Sequence, residues 1–174
     1  MRDTSLKWLT RAAVLLALTL AFQSLRLGQA VTGSAVNAML LTAAVVIGPW
    51  GAAAIGLMTP VTAFFLGALN PVLAPAIPFI MAGNATLVLV FGYGRKVNLY
   101  LALIMAATSK YLLLSAAVTY IINVPGPVSI ALRVPQLFTA LGGGLVALLI
   151  LEGLTTAGVV PRNIWPGLGP RLRR

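Results

Sequence analysis

The sequence predicts an all-α integral membrane protein, a compact bundle of six transmembrane helices with cytoplasmic N- and C-termini. Three observations carry this fold class. Of 174 residues, 60% are hydrophobic and 8% charged, far from the balance of a soluble domain. The apolar residues form long runs divided by short Gly- and Pro-rich stretches, and at about 20 residues per crossing six spans fit the length. With the N-terminus inside, Arg2, Lys7, Arg11, Arg95, Lys96, Arg162, Arg171, Arg173 and Arg174 fall on the cytoplasmic side, Arg26 and Arg133 fall outside, and Lys110 lies within the membrane. That distribution follows the positive-inside rule. Residues 1–160 then make a single transmembrane domain and 161–174 a basic cytoplasmic tail.

The first apolar run, residues 5–27, begins like a signal peptide but is long enough to span. Ala13, Ala17 and Ala21 recur one turn apart on one face, where small side chains let another helix approach closely. Residues 28–34 are polar and Gly-containing and are expected to leave the helix as an outer loop. Gln29, Thr32 and Asn37 offer hydrogen-bonding groups there, either as a lid or as an ordinary solvated connection.

The second helix is expected over 35–47. Gly48-Pro49-Trp50-Gly51 then forces a tight reversal, with Trp50 suited to the membrane interface. The third runs over 52–69, with Pro60 predicting a kink near Thr59. Prolines 71, 75 and 78 predict a stiff, irregular outer connection over 70–78. The fourth helix, 76–92, carries Asn84 near mid-membrane, where an amide must find a partner, as helix glue or as a ligand contact.

Residues 92–98 read as a cytoplasmic turn. The fifth helix, 99–123, carries a polar stripe of Thr108, Tyr111, Ser115, Thr119 and Asn123 on one side at about 100° per residue. Lys110 points away from that stripe; an intramembrane cation is a functional candidate, with snorkelling or pairing to Glu152 as the structural alternative. After Val124-Pro125-Gly126-Pro127 a sixth helix begins near Ile130. There a polar outer end, Arg133 and Gln136, passes into the small face Ala140, Gly144 and Ala147.

Composition also excludes function classes. The chain has no Cys and no His, and its only carboxylate side chains are Asp3 and Glu152. Disulfides are impossible, the usual metal ligands are missing, and no catalytic residue, cofactor or enzyme activity is expected. No P-loop occurs. The formal charge of +10 is spread between apolar runs rather than gathered with aromatics on one face, so nucleic acid is not an expected partner, and the tail arginines suit anionic lipid.

The Ala13-Ala17-Ala21 face, the loop with Val31-Thr32-Gly33, the run Ile47-Gly48-Pro49-Trp50-Gly51, and Ala74-Pro75-Ala76-Ile77-Pro78-Phe79 leading to Gly83-Asn84 together make this chain resemble the substrate-binding S components of energy-coupling-factor (ECF) transporters. The resemblance implies a subunit of an ABC-type importer in a bacterial plasma membrane. It would capture a vitamin or similar micronutrient outside, then dock through Ala13, Ala17 and Ala21 on a membrane coupling subunit served by two ATPases.

The expected substrate site comprises Gln29, Thr32, Asn37, Asn84, Lys110, Tyr111, Ser115, Arg133 and Gln136. Positive charge toward the outer half, with no carboxylate side chain to neutralise it, favours a small anion bearing a carboxylate or phosphate. Pantothenate, a folate or pterin-type molecule, lipoate and biotin are examples. Two other readings stand beside this one: a ligand-free membrane scaffold of cell-envelope machinery, MreD-like, and a small stand-alone permease. The permease would need a continuous polar track that the sequence does not display.

Overall fold

The computed structural model describes residues 2–165, with side chains from residue 5 onward; Arg171, Arg173 and Arg174 of the expected basic tail lie outside the described residues. The helices are α1 (Arg2–Ser24), α2 (Gln29–Val46), α3 (Pro49–Phe65), α4 (Ile77–Gly94), α5 (Leu99–Tyr120), the short α6 (Gly126–Ala131) and α7 (Val134–Thr156), with a 3-10 turn, Pro71–Ala76, before α4. No strand occurs among the described residues. Five segments are long and apolar enough to cross a membrane; α3, at 17 residues, is a shorter apolar helix.

The centre of the bundle is α2, which packs most extensively on α7 and also touches α1, α3 and α4. Leu40 and Leu41 of α2, Leu87 and Phe91 of α4 and Leu151 of α7 are fully buried together. The first helix is peripheral. It packs on α2 and α3 only along one side, and Ala13, Ala17 and Ala21 are exposed on the other. Trp8 ties its base to the bundle by donating from Nε1 to the carbonyl of Ile47 at 2.8 Å.

The expected loop over 28–34 is corrected by the structure: α2 already begins at Gln29. The reversal is confined to residues 25–28, with Arg26 at φ +50° and Gly28 at φ +83°, the latter a conformation that favours glycine. The polar residues that follow stay helical because Gly33 is a contact surface rather than a turn. A Cβ there would stand 3.1 Å from Cγ2 of Thr139, so α2 runs close against α7 along its first turns.

Gly48, at φ +90°, makes the expected tight reversal with Pro49 in the first turn of α3. Between α3 and α4 the proline-rich connection forms the 3-10 turn, capped by Asn70, whose side chain accepts from the amide of Val72 at 3.0 Å. Asn98 caps α5 by accepting from the amide of Leu101 at 2.9 Å. The expected sixth helix is divided into α6 and α7 at Leu132 and Arg133. Pro135 lacks an amide for the carbonyl four residues earlier and its ring crowds that turn, and the displaced carbonyl of Ala131 accepts instead from Gln29 Nε2 at 3.2 Å.

After α7 the chain folds back across the end of the bundle. Val160 and Trp165 are buried, Arg95 donates to the carbonyl of Ile164 at 2.9 Å, and Trp165 Nε1 approaches Glu152 Oε2 at 3.4 Å.

Candidate functional site

A cavity of about 830 Å3 opens at the end of the bundle that holds the α1–α2, α3–α4 and α5–α6 connections. One face of α2 forms part of its wall. Gln29, Thr32, Gly33, Val36 and Asn37 all line it, at the i, i+3, i+4, i+7, i+8 spacing of a single helix face. Exposure falls steadily along this row, from an exposed Gln29 through a half-buried Thr32 to Asn37 at 1%. Gln29 and Asn37 are eight residues apart, about 12 Å along the helix axis at about 1.5 Å per residue.

The floor is polar and closed. Lys110 of α5 is 3% exposed and its Nζ donates to Asn37 Oδ1 at 2.7 Å and to Asn84 Oδ1 at 2.8 Å. Each amide is oriented from behind: Asn84 Nδ2 donates to the carbonyl of Gly56 at 3.1 Å, and Asn37 Nδ2 reaches Thr139 Oγ1 at 3.5 Å. Pro60, four residues after Gly56, has no N–H to offer that carbonyl, so the proline in α3 creates the acceptor that fixes Asn84.

Three glycines make room for this cluster. A Cβ on Gly56 would stand 3.0 Å from Asn84 Cβ, one on Gly83 3.3 Å from Lys110 Cγ, and one on Gly143 2.8 Å from Asn37 Cβ. Each floor residue thus lies against a residue with no side chain, on α3, α4 and α7 respectively.

An ammonium has three donors, and two are used by Asn37 and Asn84. The third has no partner among the described residues, and Lys110 lines the cavity. No Asp or Glu occurs among the described lining residues, so the buried charge has no counter-ion in the cavity. A buried cation of this kind gains most from an anion brought in beside it. Above the floor the walls are aliphatic, with Val36, Leu73, Ile80, Val128 and Leu132 prominent. At the rim, Arg26 donates to the carbonyl of Gly67 and so joins the α1–α2 and α3–α4 connections. The Gln29 bond to Ala131 does the same for α2 and α6.

Of the residues expected at the site, Gln29, Thr32, Asn37, Asn84, Lys110 and Gln136 line the cavity; Tyr111, Ser115 and Arg133 do not. Lys110, Leu114 and Ala117 share the inward face of α5 and are buried. Tyr111 and Ser115 each follow one of these by a single residue and are turned about 100° away. The polar stripe of the fifth helix is therefore separate from the cavity, with Thr119 and Asn123 exposed. Arg133 sits at the break before α7. Nor does Lys110 pair with Glu152, which lies near the far end of α7 beside Trp165.

Gln23, Arg26 and Thr139 were not among the expected site residues, although Gln23 and Arg26 line the cavity and Thr139 holds Asn37. A signal for Thr139 exists in its position three residues after Gln136, on the same face of α7.

Comparison of the chain with protein-family models, with curated proteins and with solved structures gives no match.

Proposed function

We propose that this protein is the substrate-capture (S) subunit of an ECF-type importer, a multi-pass protein of a bacterial plasma membrane that binds a small anion from outside. The observation that carries the reading is Lys110, a buried cation with an unused N–H at the floor of a closed-bottomed cavity whose described lining has no carboxylate side chain. An ionisable residue held inside an apolar bundle is costly, and such residues are retained where they meet substrate. A scaffold would have no use for a cavity with a cationic floor under aliphatic walls.

Charge supports the direction of capture. The cavity opens at the end with Arg26 and Arg133, whereas Lys7, Arg11, Arg95, Lys96 and Arg162 belong to the other end by their positions in the chain. The positive-inside rule makes the basic end cytoplasmic and the mouth extracellular, with α3 as the sixth crossing, short and packed against α4, α2 and α1. Ala13, Ala17 and Ala21, exposed on a peripheral helix, offer a smooth face on which a coupling subunit packs. Two ATPases attached to that subunit supply the energy.

The test is reconstitution. Co-expressed with an ECF coupling subunit and its ATPases, the chain is expected to co-purify as one complex and to support ATP-dependent uptake. Failure to associate with any such module, including the one from its own host, would contradict the proposal and favour the scaffold.

A further inference from the structure

The chemistry of the cavity narrows its occupant, given the capture reading on which this step rests. We infer that the site takes an aliphatic monocarboxylate, seated carboxylate-down on Lys110 with its body along Val36, Leu73, Ile80 and Leu132.

The floor sets the head group. Lys110 has one N–H to give, because Asn37 and Asn84 hold the other two. Both amide oxygens face the ammonium, so they repel rather than receive an anion, and the Asn84 amide nitrogen is committed to Gly56. A carboxylate needs one charge and a donor to anchor one oxygen, and that is what this floor supplies, with Thr32 as the next polar group of α2 toward the mouth. A phosphate monoester brings about −1.5 to −2 charges and three acceptor oxygens. The other cation of the lining, Arg26, is an exposed rim residue engaged with the carbonyl of Gly67, too far up the cavity to share the floor.

The walls set the body. Among the described lining residues there is no Phe, Tyr, Trp or His, so a flat conjugated ring would meet no stacking partner. Aliphatic walls instead reward methylenes, at about 0.8 kcal/mol for each one buried. Gln23, Gln29 and Gln136 nearer the mouth leave room for hydroxyl or amide groups toward the distal end of the ligand.

The experiment identifies what the protein holds. The full chain is purified gently in lipid nanodiscs from cells grown in rich medium and denatured, and the released small molecules are identified by mass spectrometry. The released compound and its primary amide are then compared by equilibrium binding to the emptied wild-type protein. A stoichiometric aliphatic monocarboxylate that binds about tenfold or more tightly than its amide, a difference of about 1.4 kcal/mol, is the expected result. An aromatic acid, a phosphate ester, a neutral compound or a cation would overturn this inference and leave the capture reading standing. No released compound, together with no binding of pantothenate, lipoate or biotin at millimolar concentration, would overturn both. Because the comparison is made on the wild-type chain, no variant has to fold for it to be read.

Discussion

Asn84 Nδ2 donates at 3.1 Å to the carbonyl of Gly56, the backbone acceptor that Pro60 cannot serve. The same amide turns its oxygen to Lys110. A helix defect in α3 thereby orients a side chain of α4, which holds a cation of α5, and three helices converge on one polar point.

Asn84→Leu is therefore expected to destabilise the bundle by about 2–4 kcal/mol, since it strands a buried carbonyl and removes a partner of a buried charge. Unfolding by graded SDS addition measures it. In a Pro60→Ala background, where residue 60 regains an amide for Gly56, the cost of the same change should shrink by about 1 kcal/mol. Equal cost in both backgrounds would separate Asn84 from the proline.

Lys110→Gln removes the charge and keeps hydrogen-bonding groups for Asn37 and Asn84. It is expected to weaken an anionic ligand by about tenfold or more. The variant should melt no lower than the ligand-free wild type, because an unneutralised buried cation is itself costly. Melting curves with and without ligand test both statements, and lower stability without ligand would mean that Lys110 serves the fold.

Gly143→Ala would place a Cβ 2.8 Å from Asn37 Cβ and push α2 from α7. Overpacking of this kind costs about 1–3 kcal/mol, and ligand affinity should fall with stability as Asn37 shifts. Gly153→Ala on the same helix, with open space at its Cβ, is the control and should leave both unchanged.

Ala13→Leu and Ala17→Leu together lie on the exposed face of α1. Isolated stability should stay within about 0.5 kcal/mol of wild type, with ligand affinity unchanged, while uptake by the reconstituted importer is lost. Uptake at the wild-type rate would remove this face from partner docking.

Much of this architecture is legible in the sequence, because long apolar runs punctuated by Pro and Gly have few alternatives to helices. Lys110 and Asn84 also stand out singly, as polar residues in apolar runs. Their meeting with Asn37 is not legible: a helical wheel relates residues on one helix, whereas these three come from α2, α4 and α5. The same limitation placed Tyr111 and Ser115 in the site, since the polar stripe of α5 and its cavity face are different faces of one helix. Residues 28–34 look like a loop because glycine and polar side chains usually mark one, yet Gly33 serves the α2–α7 contact. Arg133 illustrates charge without position. Its location outside the cavity predicts that Arg133→Gln leaves ligand affinity within about twofold of wild type.

Whether Lys110 receives the anion is read directly from a structure of the protein with its co-purified ligand bound. The expected structure has a carboxylate oxygen within hydrogen-bond reach of Lys110 Nζ, at about 2.7–2.9 Å, with Asn37 and Asn84 still in place. A ligand held elsewhere, with Lys110 bonded to the two amides alone, would contradict it.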